Sequence, residues 1–158
     1  MTFSSRAVVV LHGEGEAVTA LGSRYRYKAV GQSTNGAYSL VEETLLDAEG
    51  PPLHVHEREE ESFYVLSGCG VFVVGEDRRE LGPGDFVIVP RGAPHALARV
   101  GDEDLRMLVI CSPAGLEQFF VEVERRESEA GSPLDEDDVV ALAADYGTRI
   151  VGPPIGPC

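Results

Sequence analysis

Positive charge is scarce in this chain: 13 lysines and arginines stand against 27 aspartates and glutamates, a formal net charge of −14 over 158 residues. That balance argues against nucleic acid, which is held by basic patches, and against docking on anionic lipid. A phosphorylated substrate is disfavoured too, unless a few arginines gather locally. Cysteine is also sparse. Cys69, Cys111 and Cys158 form an odd set without regular spacing, which fits neither a disulfide framework nor a zinc knuckle. Cys69 and Cys111 are expected as buried or turn thiols, and a reducing cytoplasm is the expected location. Long apolar runs are missing as well. Ala7-Val8-Val9-Val10-Leu11 is broken by His12-Gly13-Glu14, too short for a signal peptide or a membrane span. The expectation is a soluble protein.

The length suits one domain with a substantial core. Over the first 112 residues, short apolar runs alternate with turn signals. Candidate strands are Ala7–Leu11, Ala17–Leu21, Tyr25–Gly31, Ala37–Leu46, Leu53–His56, Glu61–Ser67, Val71–Val74, Phe86–Val89, His95–Val100 and Leu105–Cys111. Gly68-Cys69-Gly70, Glu76-Asp77-Arg78, Gly82-Pro83-Gly84-Asp85 and Gly101-Asp102-Glu103-Asp104 punctuate them. The pattern predicts an all-β sandwich or barrel. Beyond residue 112 the character changes. Ser112-Pro113 reads as an N-cap followed by proline at the first helical position, opening a helix through Phe119, Phe120 and Val123. Asp135, with Asp137 and Asp138, opens a second helix, which Gly147 stops. We therefore expect a barrel over about 1–112, a helical extension over about 113–147 and an extended tail over 148–158. There is no internal repeat.

Three of the four histidines fall in one pattern. His54 and His56 flank Val55, so on a strand they share a face with Cα atoms roughly 6.5 Å apart. Glu61 and His95 carry the right chemistry to complete a metal-ligand set. Three neutral imidazoles and a carboxylate suit one divalent transition metal: iron, nickel, manganese, cobalt, copper or zinc. If Glu61 faces inward, so do Phe63 and Val65; if His95 does, so do Leu97 and Arg99. His12, in a Gly-rich turn, is expected to face solvent.

His54-x-His56-x4-Glu61-x6-Gly68 resembles the first cupin motif, and Gly84-x5-Pro90-x-Gly92-x2-His95 the second. Cys69 to Pro83 separates them by 15 residues. The surrounding sequence, including Ser112-Pro113-Ala114-Gly115-Leu116 and the Gly152-Pro153-Pro154 tail, is similar to single-domain, quercetin dioxygenase-like bacterial cupins. That resemblance implies a double-stranded β-helix (cupin jelly-roll barrel) with the C-terminal helices packed outside. It also implies His54, His56, Glu61 and His95 as metal ligands, and a homodimer. Glu61 is preferred by motif spacing rather than by chemistry, and Glu60 is its main rival. Two positions depart from the family pattern. Ala48 replaces the usual glycine before the first histidine, with Gly50 nearby. Arg99 replaces the usual asparagine after the last, where it would either add positive charge near the metal or pair with Asp102 or Asp104.

The resemblance implies a metal-dependent enzyme acting on a small aromatic or enolisable molecule, foremost a quercetinase-like dioxygenase using dioxygen. Glu61 would be both ligand and general base. Phe63, Val65, Phe72, Val87 and Val89, with Leu97, Arg99, Met107 and Val109, would form the substrate pocket. A metal-dependent isomerase, cyclase or lyase is the alternative, as is a non-enzymatic small-molecule-binding cupin.

Overall fold

A computed structural model describes residues 6–156, so Cys158 lies outside the described residues. The described strands form two antiparallel sheets. In chain order the elements are β1 (Ala17–Ala20), β2 (Ser23–Ala29), α1 (Gly31–Thr34), β3 (Ser39–Leu45), β4 (His54–His56), β5 (Glu60–Ser67), β6 (Cys69–Val74), β7 (Asp77–Leu81), β8 (Phe86–Val89), β9 (His95–Val100), β10 (Leu105–Ser112), α2 (Glu117–Ala130), α3 (Glu136–Asp145) and β11 (Thr148–Ile150). The six-stranded sheet runs β1-β2-β3-β10-β5-β8 and the five-stranded sheet β11-β4-β9-β6-β7. From β3 onward the chain crosses repeatedly between the sheets, with only the β6–β7 hairpin staying within one, which gives a jelly roll with its core between them.

Period-two patterning decides which side chains enter that core. On β5, Glu61, Phe63 and Val65 are buried while Tyr64 is exposed. On β10, Leu105, Met107, Val109 and Cys111 all turn inward. Two glycines let backbones close together where a side chain would collide. A Cβ at Gly50 would lie 1.8 Å from the Leu97 carbonyl oxygen, so this glycine allows the close approach to β9, beside Ala48, whose carbonyl accepts from the Arg99 N–H at 3.1 Å. Gly68 has φ +72°, and a Cβ there would meet the Asp104 carbonyl, so the β5–β6 turn needs a residue without one.

Several sequence expectations are corrected. Residues 7–11 form no strand; Val8, Val9 and Leu11 are exposed, with no opposing apolar face to bury them. The charged run after Glu76 is not only a turn, because Asp77–Leu81 pairs with β6 and its charges sit on an edge strand. Ser112 is not a helix cap. It ends β10, paired with Glu60, and α2 begins later at Glu117. Asp135 does cap α3, its side chain accepting from the Asp138 N–H at 2.8 Å. The stretch expected as a tail supplies β11, which pairs with β4. Both main helices lie outside the sheets. Their apolar faces turn towards the open end of the sandwich, where Phe120 stacks on Tyr25 at 3.9 Å. No helix among the described residues is long and apolar enough to cross a membrane.

Candidate metal centre

His54, His56 and His95 converge because two neighbouring strands, β4 and β9, present them to one side. His54 sits directly opposite His95 across the β4–β9 ladder, and His56 lies two residues along the same face. Glu61 comes from the opposite sheet, on the inward face of β5. One ligand atom from each of the four lies within 4.8 Å of every other, and all four residues are buried. Glu60, the rival carboxylate, is on the outward phase of β5 and exposed.

The second ring nitrogen of each histidine is already committed. His54 Nδ1–H donates to the Pro52 carbonyl at 2.7 Å, and His95 Nδ1–H donates to the Ala93 carbonyl at 3.0 Å. His56 Nδ1 is 2.9 Å from Thr148 Oγ1 and 3.0 Å from Glu59 Oε1. These outer contacts turn the three Nε2 atoms towards the centre, the orientation that metal-binding imidazoles require. Glu61 Oε2 lies 2.9 Å from His95 Nε2 and 3.2 Å from His56 Nε2. Imidazole lone pairs facing a carboxylate so closely need positive charge between them, supplied by a proton or by a metal ion. His56 Nε2 is buried without a hydrogen-bond partner. The donor set and this orphaned nitrogen fit a divalent transition metal.

The electrostatics agree with that geometry. Burial, aided by the neighbouring His95 and His56, drives His54 down to about 3, so it is a neutral, lone-pair-bearing imidazole at neutral pH. Burial would also depress His56, but Glu61 and Glu59 outweigh it and raise His56 to about 10. For Glu61, burial pushes upward and is outweighed by His56 and His95, leaving the carboxyl well below its usual range. Without metal, His56 therefore carries the charge that the site demands. A metal needs that nitrogen free, so uptake at pH 7 should release about one proton, and affinity should rise with pH until about 10. Calorimetric titration in two buffers of different ionisation enthalpy measures this; an uptake independent of buffer would contradict it.

Thr148 is the contact that sequence reading missed. It reaches His56 because β11 docks antiparallel on β4 and sets Thr148 opposite it. Thr148→Val keeps the shape but removes the acceptor, and should weaken metal binding by about 10–100-fold. Competition against a chromophoric chelator reads this directly.

Beside the centre lies a cavity of about 350 Å³, within the range of small-molecule sites. Phe63 and Leu97 line it, and Val109 lines a smaller adjoining pocket. Val65, Phe72, Val89 and Met107 do not. They are packed in the core with Val87 against them, because at that end the two sheets fill the space between them, as in the Phe63–Phe72 contact at 5.6 Å. Arg99 does not line the cavity either; its guanidinium bonds Asp104 Oδ1 at 2.9 Å and the Leu46 carbonyl at 3.1 Å. Leu116, Phe119 and Phe120 of the α2 segment and Val139 and Ala143 of α3 add apolar wall, and exposed Asp47 and Glu49 line it as well. Ser23, Tyr25 and Glu43 also line it, although the sequence reading singled out none of them. A signal was present: Ser39, Val41, Glu43 and Leu45 share one strand face, which puts a carboxyl among apolar neighbours. Burial pushes Glu43 up to about 7, the nearby Glu61 adding to the shift while the Ser23 hydrogen bond opposes it.

Residues 41–111 match the family model of the Cupin domain. The chain belongs to the cupin superfamily, with a histidine–glutamate cluster that can bind a metal. The quercetin 2,3-dioxygenase of Bacillus subtilis (strain 168) is 29% identical over 117 residues, 71% of this chain and 33% of that protein. Among solved structures, KdgF from Halomonas sp. superposes with a TM-score of 0.61 at 22% identity, covering 72% of this chain and 99% of that one. The polyketide cyclase RemF from Streptomyces resistomycificus superposes at 0.59 with 25% identity, covering 68% and 80%. The chain spans 65%, 33% and 19% of the lengths of the curated relatives it matches first.

Proposed function

We propose that this protein is a metal-dependent enzyme that binds a flat phenolic or enolisable molecule and removes its hydroxyl proton, with quercetinase-like dioxygenation as the specific form. The observation that carries this reading is the convergence of three Nε2 atoms and one carboxylate within 4.8 Å at the wall of a largely apolar cavity. His54, His56, His95 and Glu61 would hold the ion. Once bound, a divalent transition metal supplies Lewis acidity that lowers the pKa of a substrate hydroxyl. Glu61 is placed to accept that proton. Phe63, Phe119 and Phe120 offer faces for a flat ring, while α2 and α3 restrict the entry of water.

A second reading, a non-oxidative cyclase, isomerase or lyase, is favoured by Glu43. A second carboxyl in the same cavity suits proton transfer at both ends of a substrate, and RemF, a polyketide cyclase, has this fold. Incubating iron- or nickel-loaded protein with a flavonol in an oxygen electrode separates the two. Oxygen uptake matching flavonol loss supports dioxygenation, and loss without uptake supports the second reading. Absence of both turnover and binding would overturn the substrate class.

We also propose a homodimer in the cytoplasm. Free thiols at Cys69 and Cys111 suit a reducing compartment. Phe86 and Ile88 are about half exposed on β8, an edge strand, beside exposed Tyr64. A two-fold pairing of that edge with a second copy would cover them. A monomer by light scattering would remove the dimer.

A further inference from the structure

We infer that Glu43, braced by Ser23 and Tyr25, is a second substrate anchor that hydrogen-bonds a ligand oxygen other than the one held at the histidine cluster. The inference rests on the proposed metal-dependent reading and deepens it. Such a site selects molecules with two oxygens, such as hydroxyketones and dicarbonyls in their enol forms.

Glu43 is 8% exposed, on the inward face of β3, with Tyr25 opposite it across the β2–β3 ladder. Ser23 Oγ donates to Glu43 Oε1 at 2.8 Å, and the Tyr25 hydroxyl is within hydrogen-bonding reach of the pair. The Ser23 bond fixes one oxygen of the carboxyl, and the residue lines the cavity. Tyr25 is itself held by stacking on Phe120, so the group is supported from two elements. The main cavity is lined by Ser23, Tyr25 and Glu43 and equally by His54, His56 and Glu61. The adjoining pocket brings Glu43 and Glu61 together again. One ligand can therefore touch both groups. Two buried carboxyls cannot readily share a cavity while both are charged. Glu43 therefore offers a hydrogen-bonding carboxyl to the same cavity that the histidine cluster faces. No arginine or lysine lines this cavity.

The test uses zinc-loaded protein, which is redox-inert, titrated with 3-hydroxyflavone, whose absorption distinguishes the neutral molecule from its anion. Glu43→Gln retains a donor and should bind within about threefold of wild type. Glu43→Leu has none and should bind about tenfold more weakly, the loss expected for one hydrogen bond to a polar ligand, with zinc content unchanged. Glu43→Ala reports the same loss should leucine not be accommodated. Equal affinity in wild type and the apolar variants overturns the anchor and leaves the metal-dependent reading standing. Equal losses in the glutamine and apolar variants also overturn it, because a structural role predicts them. No binding of 3-hydroxyflavone to wild-type zinc protein overturns the substrate class and the anchor with it.

Discussion

Changing His95 to alanine is expected to lower metal affinity by more than about a hundredfold and to abolish turnover, while leaving the sheets intact. Loss of an outer contact to a ligating histidine already costs about 10–100-fold, and His95 is one of the proposed donors themselves. Its ring is 2% exposed and held in place by the Ala93 carbonyl. The flanking strand contacts are made by backbone, and β9 retains its ladder with β6. Elemental analysis after dialysis, alongside the far-ultraviolet circular dichroism spectrum, checks both halves. A variant that retains stoichiometric metal would show that His95 is not a ligand.

Glu61→Gln should separate metal binding from chemistry. Glutamine has the shape of glutamate and keeps an oxygen donor, so most metal should remain at saturating concentration. What is lost is the capacity to accept a proton. General base catalysis typically contributes about 10²–10⁴-fold, and turnover of a flavonol by the metal-loaded variant should fall by that amount. The metal-free protein offers an independent readout. Glu61 and Glu59 together hold His56 protonated up to about 10; without the Glu61 charge, the His56 titration should move down, visible in its imidazole NMR shifts. Full activity in this variant would assign the base elsewhere.

Much of the site was legible because its information is local. His54-Val55-His56 needs only strand alternation to put two imidazoles on one face, whereas Glu61 was preferred to Glu60 by motif spacing and is separated from it by the β5 alternation in the structure. The inward phase of β5 follows from its apolar residues. Thr148 was not legible, since nothing in the sequence around Gly147 says that the following residues dock on β4, ninety-two positions away. Arg99 could be read two ways because the turn bringing Asp104 within 2.9 Å is a tertiary fact. The cavity wall was misjudged for a related reason. Alternation shows that Val65, Met107 and Phe63 all face inward, but not where the sheets meet and where they part. Only Phe63 stands where they part, with Phe119 and Phe120 closing the gap.

By itself, the sequence determined a cupin jelly roll and pointed through motif spacing to the histidine–glutamate quartet, because hydrophobic period and motif spacing are properties of short segments. Tertiary structure alone decided which of the inward residues meet empty space, which acceptor orients His56, and that Glu43 shares a chamber with Glu61. Those depend on how two sheets and two helices pack across long sequence separations, where each placement is settled by the shapes of all the others.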